Sequence, residues 1–210
     1  MGVARRAVKL LACVVLSVTA AAPAWAADFT VTNGADSGPG SLRQAIIDLN
    51  ASGDASNNIV INSGVGTITL TSGDLQTVAR NVTILGNNNT LSGGTAFRGL
   101  FIGAFSGTTQ TAVAVSIADL TITNTRASGG SASGGGGGAG LGGALFVASQ
   151  ASVTVSNVTL DTNNATGGSS GTNGLRNGGG GGMGGNGGAG ALSGPTNGSG
   201  GGGGLGSGAD

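Results

Sequence analysis

The amino-acid sequence predicts an all-β protein folded as a parallel β-helix, with one short N-terminal capping helix and glycine-rich loops. The main observation is a strand phrase that recurs: residues 115–122 (VSIADLTI) are followed 38 residues later by residues 153–160 (VTVSNVTL). A looser copy lies at residues 82–91, where Ile84 precedes Ile117 by 33 residues. Strand phrases repeated at such intervals are typical of solenoids, in which each unit buries its apolar face against its neighbours.

A change of phase inside the phrase favours the same fold. Apolar residues occupy alternate odd positions up to Ile117 and alternate even positions from Leu120 onward, and the second copy repeats this slip. A flat strand cannot change phase without turning its apolar side chains outward, whereas a corner between two short strands can. Polar Asp119 and Asn157 fall at the expected corners. The alternative, an antiparallel sandwich, is expected to have regular two-residue hairpin turns and more aromatic residues.

The start of the chain has the layout of a secretory signal peptide. Basic side chains within residues 1–9 precede an apolar run at residues 10–22, and Ala24 and Ala26 provide the small side chains that signal peptidase recognises. The apolar run is shorter than the roughly 18 residues of a membrane span, so a retained anchor is the less favoured alternative. We therefore expect residues 1–26 to be removed and the remaining chain to be secreted.

Removal of this segment leaves a chain with few kinds of reactive side chain. It would contain no Cys, His, Tyr, Trp, Lys or Glu, and eight Asp against five Arg give it a net charge of about −3. This charge and the lack of a basic patch argue against a nucleic-acid partner. The chain also has no polybasic amphipathic stretch for a membrane surface. Without cysteine, its stability has to come from packing and backbone hydrogen bonds.

Residues 27–58 are expected to form an N-terminal cap made of one strand and one helix. Alternation at residues 29–32 predicts the strand, and the helix is predicted over about residues 41–50. Ser41 fits the N-cap of a capping box, in which its hydroxyl accepts from the backbone of Gln44 and the Gln44 side chain returns a bond. The apolar positions at helical spacing define one face: Leu42, Ala45, Ile46 and Leu49. Such a helix would cover the apolar end of the first β-helix unit.

Residues 59–165 are predicted to be the stacked strands of the β-helix, and residues 166–210 a glycine-rich region of low complexity. Glycine tracts lie at residues 134–138, 178–182 and 200–204. No tract combines a preceding strand, a following helix and the lysine of a phosphate-binding loop, and none carries the aspartates of a calcium-binding repeat. We expect the tracts to form flexible or loosely extended loops on one side of the solenoid.

Residues 36–46 (DSGPGSLRQAI) resemble the D-S-G-x-G-S-L-R-x-A-I opening of many bacterial surface β-helix proteins. Residues 59–70 are similar to the first coil of those proteins. Residues 134–146, followed by 153–164, are similar to the glycine-rich coils of autotransporter passenger domains and polymorphic outer-membrane proteins. The resemblance implies a right-handed parallel β-helix outside the cell, secreted or on the outer-membrane surface of a Gram-negative-type bacterium.

Members of this family are often tethered by a C-terminal outer-membrane barrel. No segment after Ala191 alternates as membrane strands do, so the sequence departs from the family pattern at this point. We expect the chain to be the N-terminal part of a longer protein, with a membrane contact only through that missing barrel.

These features predict a structural or adhesive role, in which a rigid secreted β-helix presents loops to glycans or proteins on host or neighbouring cells. No catalytic, cofactor-binding or metal-binding residue is predicted, and we expect no enzymatic activity. The acids that would carry sugar chemistry do not stack, because Asp119 aligns with Asn157 and Asp161 aligns with Thr123. Two alternatives stay open: a polysaccharide-active enzyme whose catalytic coils lie beyond Asp210, and a glycine-rich matrix or wall protein.

Overall fold

The computed structural model of the chain describes residues 27–106, 109–132, 136–170, 181 and 186. These residues contain one helix and a series of strands of 3 to 11 residues. In chain order the elements are β1 (Ala27–Val31), α1 (Leu42–Ala51), β2 (Asn57–Ile61), β3 (Thr67–Thr69), β4 (Val82–Ser92), β5 (Leu100–Ile102), β6 (Ala104–Ser106), β7 (Thr109–Thr111), β8 (Val113–Thr123), β9 (Arg126–Ser128), β10 (Leu145–Val147), β11 (Ala151–Asp161) and β12 (Asn164–Thr166).

Some of the sequence predictions concern residues outside this part of the chain. The signal peptide with Ala24 and Ala26, the glycine tract at 200–204, and the tract at 178–182 apart from Gly181 are not among the described residues. Within the described part, no helix is long and apolar enough to cross a membrane.

The larger sheet is parallel throughout. Its strands follow the order β1-β2-β4-β8-β11, and β3 also pairs with β4. Two smaller pairs are parallel as well, β5 with β10 and β9 with β12, whereas β6 and β7 form the only antiparallel pair of the described residues. The prediction of a mostly β fold with parallel strands is therefore confirmed, and the antiparallel sandwich is wrong.

One column of side chains crosses the whole sheet in register. Ile117 lies opposite Ile84 in β4 and opposite Val155 in β11, which confirms the offsets of 33 and 38 residues between the strand phrases. On the other side, Ile84 pairs with Ile59, and Ile59 pairs with Phe29. The three isoleucines are each at most 1% exposed, so this column forms the centre of the core.

The copy of the phrase in β4 contains an insertion. Its ladder with β8 is interrupted between Leu85 and Asn89, so that three residues of β4 lie opposite the single Asp119. The buried Asn89 side chain occupies this break, and its Nδ2 donates to the carbonyl oxygens of Gly86 at 2.7 Å and Asn62 at 3.0 Å. These bonds satisfy backbone groups that the ladder leaves unpaired.

The phase change inside the phrase is made by a single residue. β8 and β11 run on without interruption, and Asp119 and Asn157 adopt left-handed φ values of 53° and 51°. Aspartate and asparagine enter this region more readily than other residues with a side chain. Ile117 and Leu120 on either side of Asp119 are both buried. The two polar corner positions are therefore predicted correctly, and the ladder between β8 and β11 skips this pair although each strand continues through its corner.

The predicted helix is confirmed, with small differences at its ends. The Ser41 hydroxyl accepts from the backbone N–H of Gln44 at 3.2 Å, but the Gln44 amide donates to Asp48 Oδ1 at 2.8 Å and does not return a bond to Ser41. The helix spans Leu42–Ala51, within one residue of the predicted bounds of about 41–50. All four residues of its predicted apolar face are buried: Leu42, Ala45, Ile46 and Leu49.

Candidate functional site

The acids considered for sugar chemistry do not form a pair. The Asn157 side chain donates to Asp119 Oδ1 at 2.6 Å, and Asp161 lies opposite Thr123, as the sequence alignment of the two phrases predicts. Among the residues that the structure describes, no group of three or more His, Cys, Asp or Glu is placed to hold a metal ion.

An ion pair connects the turn before α1 to a second turn at residues 72–74. Arg43 Nη2 contacts Asp36 Oδ1 at 2.7 Å, and the same guanidinium donates to the carbonyl oxygens of Gly73 at 2.7 Å and Asp74 at 2.6 Å. The other oxygen of Asp36 accepts from the backbone N–H of Ser72 at 3.1 Å and from its hydroxyl. This network, the Asp36–Arg43 joint, holds the helix against the second turn.

The joint also fixes the charge of Asp36. Burial by itself raises the pKa of this carboxyl, but hydrogen bonds from Ser72 and Arg43 and the positive charge of Arg43 outweigh it. The resulting pKa is about 2, below the usual value of 3.8. Asp36 is therefore ionised at any physiological pH, which suits a structural ion pair and not an acid catalyst.

A hollow of about 470 Å³ lies next to the joint and shares Asp74 with it. It is formed by the last turn of α1, the segment around residue 76, and residues at and around β5. Its walls combine polar and aromatic side chains, among them Asn50, Asp74, Gln76, Arg98, Phe101 and Phe105. We refer to it as the Arg98 hollow.

Arg98 is the buried cation of this hollow. The residue is 7% exposed, its backbone N–H donates to Asp74 Oδ1 at 2.8 Å, and its guanidinium carbon lies 5.6 Å from the centre of the Phe101 ring. Its Nε is buried and has no hydrogen-bond partner among the described residues. Arg43, in contrast, makes four hydrogen bonds through its guanidinium. Buried polar atoms without a partner are uncommon in native proteins.

The walls of the Arg98 hollow are held in place by neighbouring elements. Asn50 of α1 donates to the carbonyl oxygen of Thr77 at 2.8 Å and accepts from the backbone N–H of Ala79 at 3.1 Å, so both ends of its amide are used. Phe101 of β5 packs edge-on against Phe146 of β10, with ring centres 4.8 Å apart. The helix thus fixes one wall, and the β5–β10 pair fixes the other.

A second surface is a column of threonines along the larger sheet. Thr67 pairs with Thr90, Thr90 with Thr121, and Thr121 with Thr159. Ile122, the next residue after Thr121, is fully buried, so the alternation of the strand directs the threonines to the opposite face. The column places hydroxyl and methyl groups at the spacing of neighbouring strands, about 4.8 Å.

The glycine segments that the structure describes are packed against one another. Backbone N–H groups of Gly129, Gly138 and Gly168 donate to the carbonyl oxygens of Thr166, Gly130 and Gly138, each at 2.8 Å. A Cβ added to Gly168 would overlap the carbonyl oxygen of Gly130. Glycine is needed here because the backbones approach too closely for a side chain. Gly138, in the tract at residues 134–138, is therefore bonded to neighbouring backbone, and the expectation of flexible or loosely extended loops stays a prediction for the tracts as a whole.

No family model matches the chain, and comparisons with curated proteins and with solved structures find no significant match. Neither the Arg98 hollow nor the threonine column contains a residue that sequence motifs single out as a ligand.

Arg98 is a binding candidate that no motif in the sequence identifies. What distinguishes it is its position in the sequence, because Arg98 lies within the otherwise apolar and aromatic run at residues 97–101 (FRGLF), which leads into β5. A charged residue in such a run is either turned to solvent or buried against a specific partner. The sequence alone does not decide between these two outcomes.

Proposed function

We propose that the chain is a secreted, surface-displayed right-handed parallel β-helix with a structural or adhesive role. The observation that carries this proposal is the column of Phe29, Ile59, Ile84, Ile117 and Val155, which crosses five parallel strands in register. In a solenoid, each turn stacks a given side chain on the equivalent side chain of the next turn. The column is what such stacking would produce.

The smaller parallel pairs support the same winding. β9 and β12 pair with Arg126 opposite Asn164, an offset of 38 residues that equals the offset between β8 and β11. β5 pairs with β10, which lies between β9 and β11 in the chain. Strands that leave the larger sheet and return to it in a repeated order fit a chain wound as a helix. A right-handed sense agrees with the strong preference of parallel crossover connections.

Export is supported by the N-terminal sequence. Residues 1–26 have the three parts of a secretory signal peptide, and the D-S-G-x-G-S-L-R-x-A-I opening resembles autotransporter passenger domains and polymorphic outer-membrane proteins. We place the protein outside the cell, on the outer-membrane surface or secreted from a Gram-negative-type bacterium. In this view the described residues are the capped N-terminal end of the surface structure.

An adhesive role is supported by the outer face of the sheet. The threonine column presents the same hydroxyl and methyl groups on four successive strands, a regular pattern that glycans or proteins on another cell can contact repeatedly. Repeated weak contacts add up because each one raises the local concentration for the next. A rigid parallel stack would keep the contacting groups at fixed distances.

The proposed adhesion can be tested by immobilising the purified chain and measuring its binding to arrays of cell-surface glycans and proteins. Replacing both Thr90 and Thr121 with lysine should abolish the strongest signals, because charged side chains disrupt a neutral hydroxyl surface. The matched control makes the same lysine substitutions at Thr83 and Ser116, which are also paired outward positions of β4 and β8. This variant should keep those signals. No binding to any array, or equal loss in both variants, would contradict adhesion through this column.

A further inference from the structure

We propose that the Arg98 hollow binds a small monocarboxylate with a compact apolar body. The inference does not depend on the proposed surface role, because it uses only the geometry of the hollow. The hollow is lined by a guanidinium, a carboxylate and two aromatic rings. Each of these groups restricts a different chemical property of the ligand.

The buried guanidinium calls for an anion. Arg98 is more than nine-tenths buried, its Nε has no partner, and the described residues offer no carboxylate within ion-pair distance. A buried cation without a direct ion-pair partner is costly, and an acceptor entering the hollow would relieve that cost. The planar fork of arginine matches a carboxylate group, which can accept two parallel N–H bonds.

The position of Asp74 favours a ligand with one negative charge. Asp74 lines the same hollow, and one of its oxygens is already held by the backbone N–H of Arg98. With Arg98 and Asp74 together the hollow has no net charge, so a dianion such as phosphate meets repulsion that a monocarboxylate largely avoids. The free oxygen of Asp74 can also accept a bond from a donor group on the ligand.

The aromatic side chains define the rest of the ligand. Phe101 and Phe105 meet edge to face with ring centres 6.1 Å apart, and buried Leu75 adds an aliphatic wall. Phe105 is 42% exposed, so a ligand that covers it would remove apolar surface from water. A volume of about 470 Å³ lies within the range of about 300–1,000 Å³ found for small-molecule sites.

The hollow needs little rearrangement to accept such a ligand. Asn50 and Phe146 hold its two walls through the hydrogen bonds and ring contact described above. A preformed site does not lose affinity to the ordering of its own side chains. A substituted benzoate fits these requirements, since it combines one carboxylate with a flat apolar ring.

The test uses 4-fluorobenzoate as the probe and fluorine NMR of the purified chain as the readout. We expect the chain to broaden and shift the probe signal in a saturable manner. The neutral analogue 4-fluorobenzamide should bind at least tenfold more weakly, and inorganic phosphate at equal concentration should not displace the probe. Absence of saturable binding, equal binding of the amide, or displacement by phosphate would each overturn the assignment.

Two variants and one matched control locate the site. Arg98→Gln should weaken the binding of 4-fluorobenzoate at least tenfold, while Arg126→Gln, at an exposed arginine of β9, should leave it unchanged. Gln76→Glu keeps the shape of an exposed side chain on the hollow and adds a competing carboxylate, so it should also remove binding without unfolding the chain. Undiminished binding in Gln76→Glu, confirmed folded by circular dichroism, would overturn the proposal even if Arg98→Gln fails to fold.

Discussion

The two ends of the larger sheet differ in how their apolar side chains are covered. At the β1 end, α1 contacts β1 and β2 and buries Leu42, Ile46 and Leu49 almost completely. At the β11 end, Val155 and Leu160 are each 54% exposed, although they repeat the positions of buried residues in β8. No described residue pairs with the outer edge of β11.

The difference shows that the strand phrase alone does not decide burial. Ile117 in β8 and Val155 in β11 are direct partners in the ladder, yet only Ile117 has a strand on both sides. A unit of this kind buries its apolar face only where another layer lies against it. The N-terminal helix supplies such a layer, so substitutions at the two ends should have unequal effects on stability.

The largest expected effect is at the helix-covered end. Leu42→Asp places an unpaired charge in a site that is 1% exposed, and it should lower the free energy of unfolding by at least about 3 kcal/mol or prevent folding. Leu160→Asp at the other end is the matched control and should change it by less than about 1 kcal/mol. Denaturant unfolding followed by circular dichroism measures both, and equal losses would contradict the role of α1 as a cap.

A smaller contrast is expected within the core column itself. Ile117→Ala removes a side chain enclosed by strands on both sides and should cost about 2–4 kcal/mol. Val155→Ala removes a half-exposed side chain from its direct ladder partner and should cost under about 1 kcal/mol. Equal costs in the same unfolding assay would contradict the view that the side chain of Val155 is less enclosed than that of Ile117.

The glycine segments allow a comparison of packed and open positions. A methyl group on Gly168 would overlap the backbone of Gly130, so Gly168→Ala should destabilise the segment by about 1–3 kcal/mol. Gly53 has open space around it, so Gly53→Ala should be neutral or stabilising by up to about 1 kcal/mol. Amide hydrogen exchange at Gly138, whose N–H is bonded to Gly130, should report the first change. Faster exchange in the Gly53 variant only would argue against the packed arrangement.

The smallest effect concerns the Asp36–Arg43 joint. Because the pKa of Asp36 is about 2 in the folded chain and 3.8 is its usual value, the ionised carboxylate stabilises the fold above pH 4. This contribution, roughly 1–2 kcal/mol, should be lost as the pH falls from about 4 towards 2. Asp36→Asn should remove that step from a plot of stability against pH. A step of unchanged size in the variant would assign it to other carboxyl groups.

The sequence predicts the strand register because the copies of the strand phrase can be aligned with one another residue by residue. Ile84, Ile117 and Val155 stand at equivalent places in three copies, and the structure pairs them. The helix is predictable for a similar local reason, since the hydroxyl of Ser41 and the apolar positions after it define its start and its buried face.

Other features depend on contacts between segments far apart in the chain. Arg98 lies beside Asp74, which is 24 residues earlier in the chain and is brought next to it only by the fold. The packing of Gly168 against Gly130 is likewise invisible in a glycine-rich composition that equally suits a loose loop. In the sequence, Asn89 looks like an ordinary turn asparagine. Its buried position becomes visible only with the interrupted ladder between β4 and β8.

The central claim, parallel stacking of the strand phrases at an offset of 38 residues, is tested most directly by cysteine cross-linking. In a chain whose only cysteine, Cys13, is replaced by serine, Ser116→Cys and Thr154→Cys lie directly opposite each other across β8 and β11. Neighbouring strands are close enough for a disulfide, so mild oxidation should form an intrachain bond rapidly. Ser116→Cys with Thr159→Cys, at non-opposed positions of the same strands, should not form one. Cross-linking of the second pair, or of neither pair, would contradict the parallel register.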